Sequence, residues 1–317
     1  MLKILQYGKD DTSKVFSRTQ LGNKQFIQTV SDILEDVRIN GDEALFGYAK
    51  KFDNQDLTAD NILVSQNEID VAYTLVSPQV VDAIKRAKDN ILDYHLRQTA
   101  KYSDSFFESG KTKTSELGWI YRPLARVGLY VPGGKASYPS TVLMTALPAI
   151  AAGVKEVVVV TPNVANPAIL VACNECGINK IFKVGGAQAI AALAYGTKSI
   201  DKVDLIAGPG NVFVTLAKKM VFGQVAIDMI AGPSEILVIA DDSAVASYVA
   251  SDLLSQAEHD ELAASIFVTT SQDFALKVIA EIESQTQLLS RRDIIKKSLE
   301  NNGAIIVAKD MDEAIEI

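Results

Sequence analysis

The apolar residues of this chain follow two different spacings along the sequence. In the N-terminal third they recur at helical intervals, as Phe26, Val30 and Ile33 do before a stop at Gly41. A second helix is predicted to begin at Ser77-Pro78, because serine suits the N-cap and proline suits the first helical position. The N-terminal third is therefore predicted to be helical.

After residue 117 the pattern changes to short β-branched runs that alternate with helical segments. A strand begins at Val127, and further predicted strands cover residues 156–161, 180–184, 203–207, 235–240 and 265–270. The predicted helices cover residues 167–176, 187–194, 212–222 and 273–283, with one more from Ser243. This alternation is typical of βαβ units, so we predict an α/β fold with mainly parallel sheets.

Four glycine-rich loops are each predicted to follow a strand. Parallel sheets place ligands beyond the carboxyl ends of their strands, where glycine lets the backbone come close to a ligand. Exposed amides at helix starts also suit phosphates, although ordinary tight turns have the same composition. The loops are Pro132-Gly133-Gly134, Gly185-Gly186-Ala187-Gln188, Gly208-Pro209-Gly210-Asn211 and Gly232-Pro233-Ser234.

The loop that begins at Gly208 is the best candidate for a dinucleotide fingerprint, because it follows a strand and opens a helix. The third glycine of the G-x-G-x-x-G pattern is replaced by Phe213. Asp228 lies at a plausible distance for the ribose-binding acid, but a single acid at that spacing is weak evidence. The residues alone therefore do not support NAD binding in the ordinary Rossmann mode.

Composition and charge narrow the class of protein. The 317 residues are 48% hydrophobic and 22% charged, which fits two medium domains or one domain with a large insertion. A formal net charge of −8 argues against nucleic acid or an anionic membrane as a partner. No apolar run approaches the ~20 residues that span a bilayer, and no signal-peptide pattern begins the chain. We expect a cytoplasmic protein.

One of the two histidines lies in the run Ser255-Gln256-Ala257-Glu258-His259. Gln256 and His259 are three apart, so on a helix they would share one face and could bind one object. Histidine is a frequent metal ligand, but an amide oxygen is an unusual ligand for zinc. The other histidine, His95, lies beside an apolar helical stripe and is predicted to be packed or solvated.

The two cysteines, Cys173 and Cys176, have the spacing of a redox pair or of half a zinc site. They come at the end of a predicted helix that Gly177 closes, and the chain has no second cysteine pair. We predict that both are small buried residues near a helix end.

Five motifs, in order along the chain, together resemble those of the histidinol dehydrogenase family. They are GLYVPGG at 128–134, VGGAQAI at 184–190, DLIAGPGN at 204–211, IDMIAGPSE at 227–235 and ASDLLSQAEH at 250–259. The resemblance runs through essentially the whole chain. It implies a zinc-dependent homodimer that oxidises L-histidinol to L-histidine in two NAD-dependent steps through L-histidinal, the last steps of histidine biosynthesis.

The resemblance also implies a domain layout. Two incomplete Rossmann-like domains are expected, together with the N-terminal helices. Residues 1–127 and 232–317 would form a discontinuous outer domain, and residues 128–231 an inserted domain on the NAD side. The small C-terminal part of the family would be missing from this chain.

Site residues follow from the positions that match the family. The expected NAD contacts are Tyr130, Gln188 and Asn211, in loops that Pro132, Pro209 and Gly210 would shape. The expected substrate contacts are Ser234, Gln256 and His259, and the last two are also expected to bind zinc.

The chain departs from the family at its C-terminal end. The catalytic Glu-His pair and the other two zinc ligands of the family would lie beyond Ile317, so no catalytic residue is assigned. A last helix, capped by Asp310, stops after about two turns without a C-cap. We interpret the chain as C-terminally truncated, and we expect poor metal affinity and no activity from it by itself.

Three other interpretations stay open from the sequence. One is a related NAD-dependent dehydrogenase of the same fold that acts on another small alcohol. Another is a non-catalytic short form that binds NAD or a metabolite. The last is a structural or assembly role, for which the sequence contains no dedicated interaction segment.

Overall fold

The computed structural model describes residues 2–16, 24–101, 106–109, 116–133, 139–162 and 166–317. Its strands are β1 (Lys3–Gln6), β2 (Phe106–Ser109), β3 (Glu116–Trp119), β4 (Arg126–Tyr130), β5 (Glu156–Val160), β6 (Lys180–Phe182), β7 (Leu205–Ala207), β8 (Ala226–Ile227), β9 (Glu235–Ile239), β10 (Ala264–Thr269) and β11 (Ala304–Val307). Its helices are α1 (Ser13–Phe16), α2 (Lys24–Asn40), α3 (Asp42–Asp53), α4 (Gln66–Leu75), α5 (Pro78–Ala100), α6 (Pro139–Ala151), α7 (Pro167–Glu175), α8 (Gly186–Tyr195), α9 (Val212–Val221), α10 (Ala246–Ala257), α11 (Gln272–Thr286), α12 (Arg292–Asn302) and α13 (Met311–Glu316).

The chain divides into two compact units. Met1–Gln20 and Gly232–Ile317 form one, called the terminal unit, and Leu21–Ala231 form the other, called the central unit. The predicted domains divided the chain differently, since they placed residues 21–127 with residues 232–317. In the structure, residues 21–127 contribute helices whose apolar faces pack on the helices of residues 128–231.

The sheet of the central unit is parallel, with the strand order β6-β5-β4-β7-β8. The first of these strands in the chain, β4, lies inside the sheet. The next two strands, β5 and β6, lie on one side of it, and β7 and β8 lie on the other side. The strand order therefore reverses between β4 and β7. In an open parallel sheet, a reversal of this kind leaves a crevice beyond the carboxyl ends of the two strands.

Apolar side chains cover both faces of this sheet. On one face Tyr130 packs in a cluster with residues of α2, α8 and α9, and on the other face Leu129 packs with residues of α6 and α7. Gly128 lies close to α8, because a Cβ atom there would be 2.8 Å from the Leu193 side chain. The central unit is therefore a layered α/β structure whose strands are held from both sides.

The N-terminal helices agree with the predicted spacing. Val30, Ile33 and Val37 on α2 are buried, as the helical periodicity requires. Ser77 caps α5, its hydroxyl accepting a hydrogen bond from the Val80 amide at 3.4 Å, and Pro78 is the first residue of that helix.

The terminal unit has its own parallel sheet, with the order β1-β11-β10-β9. Phe267 on β10 packs on one face with α10, α11 and α12, while Ile266 and Val268 pack on the other face near α13. Asp310 caps α13 as predicted, because its carboxylate accepts a hydrogen bond from the Glu313 amide at 2.8 Å. In the part of the chain that the structure describes, no helix is both long and apolar enough to cross a membrane.

The predicted α/β fold with parallel sheets is confirmed, and the predicted element boundaries are close. The run 156–161 is β5, the run 212–222 is α9, and the run 273–283 lies within α11. The helix expected from Ser243 begins later, at Ala246, since the Asp241 carboxylate accepts hydrogen bonds from Ser243 and holds a turn there.

Candidate functional site

Three of the predicted glycine loops leave the same edge of the central sheet. They follow β4, β6 and β7 at the carboxyl ends of these parallel strands, and they carry Tyr130, Gln188 and Asn211. Gly134, the last residue of the first loop, lies outside the described residues. The three predicted NAD contacts therefore share one edge of one sheet.

Tyr130 joins two of these loops. It is the last residue of β4 and is buried, and its hydroxyl oxygen accepts a hydrogen bond from the Gly186 amide at 3.1 Å. Burial is the main cause that raises the pKa of Tyr130. The hydroxyl proton is not used in this bond, so Tyr130 can still donate a hydrogen bond to a ligand.

Gln188 lies in the first turn of α8 and is only 1% exposed. Its amide folds back toward the start of the helix, where a Cβ atom on Gly186 would be 2.5 Å from Gln188 Oε1. Gly186 has φ +68°, so both its conformation and this contact favour glycine. The Gln188 amide carries two N–H donors and an acceptor oxygen, so it can bind a polar ligand at the start of α8.

The loop that begins at Gly208 approaches Tyr130 closely. Gly208 has φ +118°, and a Cβ atom there would be 2.2 Å from the carbonyl oxygen of Tyr130. Asn211 then caps α9, its Oδ1 atom accepting hydrogen bonds from the Phe213 and Val214 amides at 3.1 Å each. The amide nitrogen of the exposed Asn211 side chain stays able to donate to a ligand.

A buried ion pair holds the Gly208 backbone. Lys218 Nζ donates to the Gly208 carbonyl oxygen at 2.9 Å and pairs with Asp228. Asp228 Oδ2 in turn accepts a hydrogen bond from the Gly208 amide at 2.8 Å. Asp228 follows β8 and is committed to this loop, so it does not act as a free ribose-binding acid.

Lys218 has no predicted role, although its position on an apolar helix face is a signal in the sequence. Lys218 lies four residues after Val214 and three before Val221, and both of these valines are buried on α9. A lysine on an apolar helical stripe is buried, and a buried lysine needs partners. The sequence does not predict which residues are the partners of Lys218, because only the fold brings Gly208 and Asp228 close to it.

The predicted substrate residues lie in the terminal unit. Ser234 directly precedes β9, and its carbonyl oxygen accepts a hydrogen bond from the Ala264 amide at the start of β10 at 3.0 Å. The expectation that the loop Gly232-Pro233-Ser234 lies at a carboxyl edge is therefore wrong. Its closest strand begins after it, so Ser234 lies at the amino-terminal edge of the terminal sheet.

Gln256 and His259 lie near the same edge, where the chain leaves α10 and leads into β10. Gln256 is in the last turn of α10, whereas the exposed His259 lies just beyond the helix end. The two residues stay close in the chain fold, because the His259 amide donates to the Gln256 carbonyl oxygen at 3.1 Å. Gln256 and His259 therefore do not share a helix face, as the spacing had suggested, but are joined by a tight turn at the end of α10.

The donors present fit part of a zinc site. Gln256 Nε2 is buried and without a hydrogen-bond partner among the described residues. An amide can be turned so that its oxygen takes the place of its nitrogen, which would leave a buried oxygen donor here. Together with the His259 imidazole this makes two donors, and the described residues contain no group of three or more His, Cys, Asp or Glu side chains for a metal.

The cysteines are not reactive groups. Both lie at the end of α7, as predicted, but only Cys173 is fully buried, whereas Cys176 is half-buried. Burial raises the pKa of the Cys173 thiol strongly, and burial also raises the pKa of Cys176 to about 11. His95 is half-buried on α5, with its Nδ1 atom 3.0 Å from Gln98 Oε1, which agrees with the expectation of a packed or solvated histidine.

Known proteins with this fold and these loops define the class. The sequence model of the family described as histidinol dehydrogenase matches residues 16–317. The histidinol dehydrogenase of Lactococcus lactis subsp. lactis is 48% identical, over 100% of this chain and 74% of that protein. The histidinol dehydrogenase of Clostridium acetobutylicum is 49% identical with the same coverage.

A solved structure agrees with these relatives. The crystal structure of histidinol dehydrogenase from Elizabethkingia anophelis superposes with a TM-score of 0.89 at 37% identity, over 99% of this chain and 72% of that one. The protein is an oxidoreductase. The chain belongs to the histidinol dehydrogenase family.

Proposed function

We propose that this protein takes part in the NAD- and zinc-dependent oxidation of L-histidinol to L-histidine, through L-histidinal, in histidine biosynthesis. One observation carries the cofactor half of the proposal. The loops after β4, β6 and β7 bring Tyr130, Gln188 and Asn211 to one edge of the central sheet, where the strand order reverses. Such an edge is where open parallel sheets bind nucleotides.

NAD, when bound, supplies the acceptor for a hydride from the alcohol carbon. The loops that lead into α8 and α9 contain glycines, which let a phosphate approach the backbone near the helix starts. Tyr130, Gln188 and Asn211 each keep a polar group that can bond a ligand. We assign these three residues to cofactor binding.

The order β6-β5-β4-β7-β8 supports a Rossmann-like assignment for the central sheet. A full dinucleotide-binding sheet has one more strand next to the equivalent of β8, so this sheet corresponds to an incomplete form. The glycine loops serve the cofactor although the usual fingerprint fails at Phe213.

Gln256 and His259 are assigned to zinc, and Ser234 joins them in substrate binding. Zinc, when bound, acts as a Lewis acid and as a template that orients an imidazole and an amine. Gln256 Nε2 is buried without a hydrogen-bond partner among the described residues, so this amide can present its oxygen to a cation, and the nearby His259 is exposed. The homodimer is proposed from the family resemblance.

Two donors do not close a zinc site, because zinc in proteins commonly has three or four protein ligands. We therefore propose that this chain by itself turns over L-histidinol much more slowly than the relative from Lactococcus lactis. The proposal rests on the donors of the described residues.

The experiment compares the two proteins under identical conditions. Each is mixed with L-histidinol, NAD and zinc, and NADH absorbance is followed while NAD binding is measured by calorimetry. We expect NAD binding by both proteins and fast NADH formation only by the relative. If this chain oxidised L-histidinol as fast as the relative does, the proposal of an incomplete metal site would be contradicted. If it bound no NAD, the assignment of Tyr130, Gln188 and Asn211 to the cofactor would be contradicted.

A further inference from the structure

The most complete polar network on the carboxyl side of the central sheet involves two residues that have no role in the proposed function. Lys218 is 3% exposed, on a helix face that otherwise carries apolar residues. Asp228 is one-third exposed and follows β8. We propose that Lys218 and Asp228 are positioning residues for the cofactor loop Gly208-Pro209-Gly210-Asn211, an inference that rests on the proposed NAD function.

The geometry fixes both polar groups of one glycine. Lys218 Nζ donates to the Gly208 carbonyl oxygen at 2.9 Å, and Asp228 Oδ2 accepts from the Gly208 amide at 2.8 Å. Lys218 and Asp228 also pair directly, so the three groups form a closed ring of contacts. The peptide groups on both sides of Gly208 are therefore held in one orientation.

These contacts restrain a glycine, the residue with the greatest backbone conformational freedom. Gly208 has φ +118°, a region open to glycine and rarely adopted by other residues, so the loop would have several accessible conformations without these contacts. The Asp228 carboxylate also accepts a hydrogen bond from the Met229 amide at 2.7 Å, which fixes the acid itself. A restrained loop binds a ligand with a smaller loss of conformational entropy.

The position of Lys218 links the loop to the helix that follows it. Asn211 caps α9, and Lys218 extends from the same helix back to Gly208. The loop and the start of α9 are thus held as one piece, with the lysine on the buried side. A cofactor at this loop would meet a backbone whose orientation is already set.

The ion cluster around Glu156 does not share this relation to the loops. Glu156 bonds Lys180 at 2.7 Å and Arg126 at 2.9 Å, but these residues begin β5, β6 and β4. That cluster therefore lies at the amino-terminal edge of the sheet. The Lys218–Asp228 pair is placed at the opposite edge, against a loop that carries a predicted NAD contact.

The test uses three variants and a neighbouring control. Lys218→Met removes the charged donor and keeps the apolar stem, and Asp228→Asn keeps an acceptor but removes the negative charge. The double variant Lys218→Met/Asp228→Asn leaves no unpaired charge, so its melting temperature should recover toward that of the unmodified protein. Lys219→Met is the matched control, because Lys219 is the next residue on α9 and is exposed.

Two measurements separate positioning from mere stability. Hydrogen–deuterium exchange of residues 205–214 without ligand reports the order of the loop, and calorimetry reports the Kd for NAD. We expect faster loop exchange and about tenfold weaker NAD binding in Lys218→Met and in the double variant, whatever their melting temperatures. Lys219→Met should match the unmodified protein in both measurements.

The outcomes distinguish this inference from the proposed function. Unchanged loop exchange in Lys218→Met, or NAD affinity that recovers together with the melting temperature in the double variant, would overturn the positioning role. If the unmodified protein binds no NAD, the proposed cofactor function fails and the cofactor role of the pair fails with it. The exchange measurement still decides in that case whether the pair orders the loop.

Discussion

The hydroxyl oxygen of Tyr130 accepts a hydrogen bond from the backbone amide of Gly186 at 3.1 Å. Tyr130 ends β4 and Gly186 begins α8 after β6, so the bond spans the position of β5, which lies between the two strands. It ties the loop after the inner strand to the start of a helix whose first turn carries Gln188. The edge assigned to the cofactor is therefore a connected surface.

Tyr130→Phe should weaken both the fold and NAD binding. The change removes the acceptor for the partly buried Gly186 amide, which should lower the free energy of unfolding by about 1–3 kcal/mol. NAD should bind several-fold more weakly because the start of α8 is no longer fixed. Denaturant unfolding and calorimetry measure the two effects, and Tyr94→Phe, at an exposed tyrosine on α5, is the control. Equal behaviour of the two variants would refute the role of the bond.

Gly208→Ala should be more damaging than an alanine at another glycine of similar conformation. Gly208 and Gly223 have φ +118° and +100°, so alanine at either position is strained by about 1–3 kcal/mol. Only at Gly208 would the new Cβ meet backbone, 2.2 Å from the Tyr130 carbonyl oxygen, whereas nothing lies within 4 Å at Gly223. A further loss of about 1–3 kcal/mol and impaired NAD binding are expected at Gly208 alone. Similar unfolding curves for the two variants would contradict the close approach.

Zinc affinity should depend on one histidine and not on the other. Gln256→Leu and His259→Leu each remove a proposed donor, so each should weaken zinc binding at least about tenfold, or about 1.4 kcal/mol. His95→Leu is the matched control, because His95 is half-buried on α5 and far from Gln256 in sequence. Calorimetric titration with zinc chloride measures all four proteins. Loss of affinity only in His95→Leu would place the metal elsewhere.

Acid should destabilise the central unit partly through Glu156. Hydrogen bonds first from Lys180 and then from Arg126 lower the pKa of Glu156 below its ordinary value of 4.5. A carboxylate with a lowered folded-state pKa stabilises the fold above its unfolded pKa, and this contribution is lost as pH falls through the folded-state value.

Glu156→Gln should therefore reduce the loss of stability between pH 7 and about pH 3 by about 0.2–1 kcal/mol. The control is Glu43→Gln, since Glu43 is exposed on α3 and forms no ion pair within the described ranges. Thermal unfolding across this pH range gives the comparison. An unchanged pH profile for Glu156→Gln would show that its ion pairs contribute nothing measurable.

Local pattern was sufficient to predict most elements of the fold. The run of valines in β5 is buried on both faces and has no helical periodicity, so the sequence indicates a strand of a covered parallel sheet. The capped start of α5 at Ser77-Pro78 was equally local. The pairing of β1 with β11 was not predictable, because these strands are short and lie at opposite ends of the chain.

The candidate site could be predicted in part. Motifs located Tyr130, Gln188 and Asn211, and the shared sheet edge agrees with them. The contact of Ser234 with Ala264, and the partners of Lys218, depend on contacts between distant parts of the chain. Grouping of the N-terminal helices with the central sheet likewise depends on which apolar faces meet, and spacing along one helix does not contain that information.

The most direct test of the central claim is hydrogen–deuterium exchange of this protein with and without NAD. We expect slower exchange with NAD in all three loops at the carboxyl edge of the central sheet, at residues 130–133, 185–188 and 208–211. The opposite edge, where β4, β5 and β6 begin at Arg126, Glu156 and Lys180, should exchange at an unchanged rate. Unchanged exchange in the three loops at saturating NAD, or slowing confined to the opposite edge, would contradict the account.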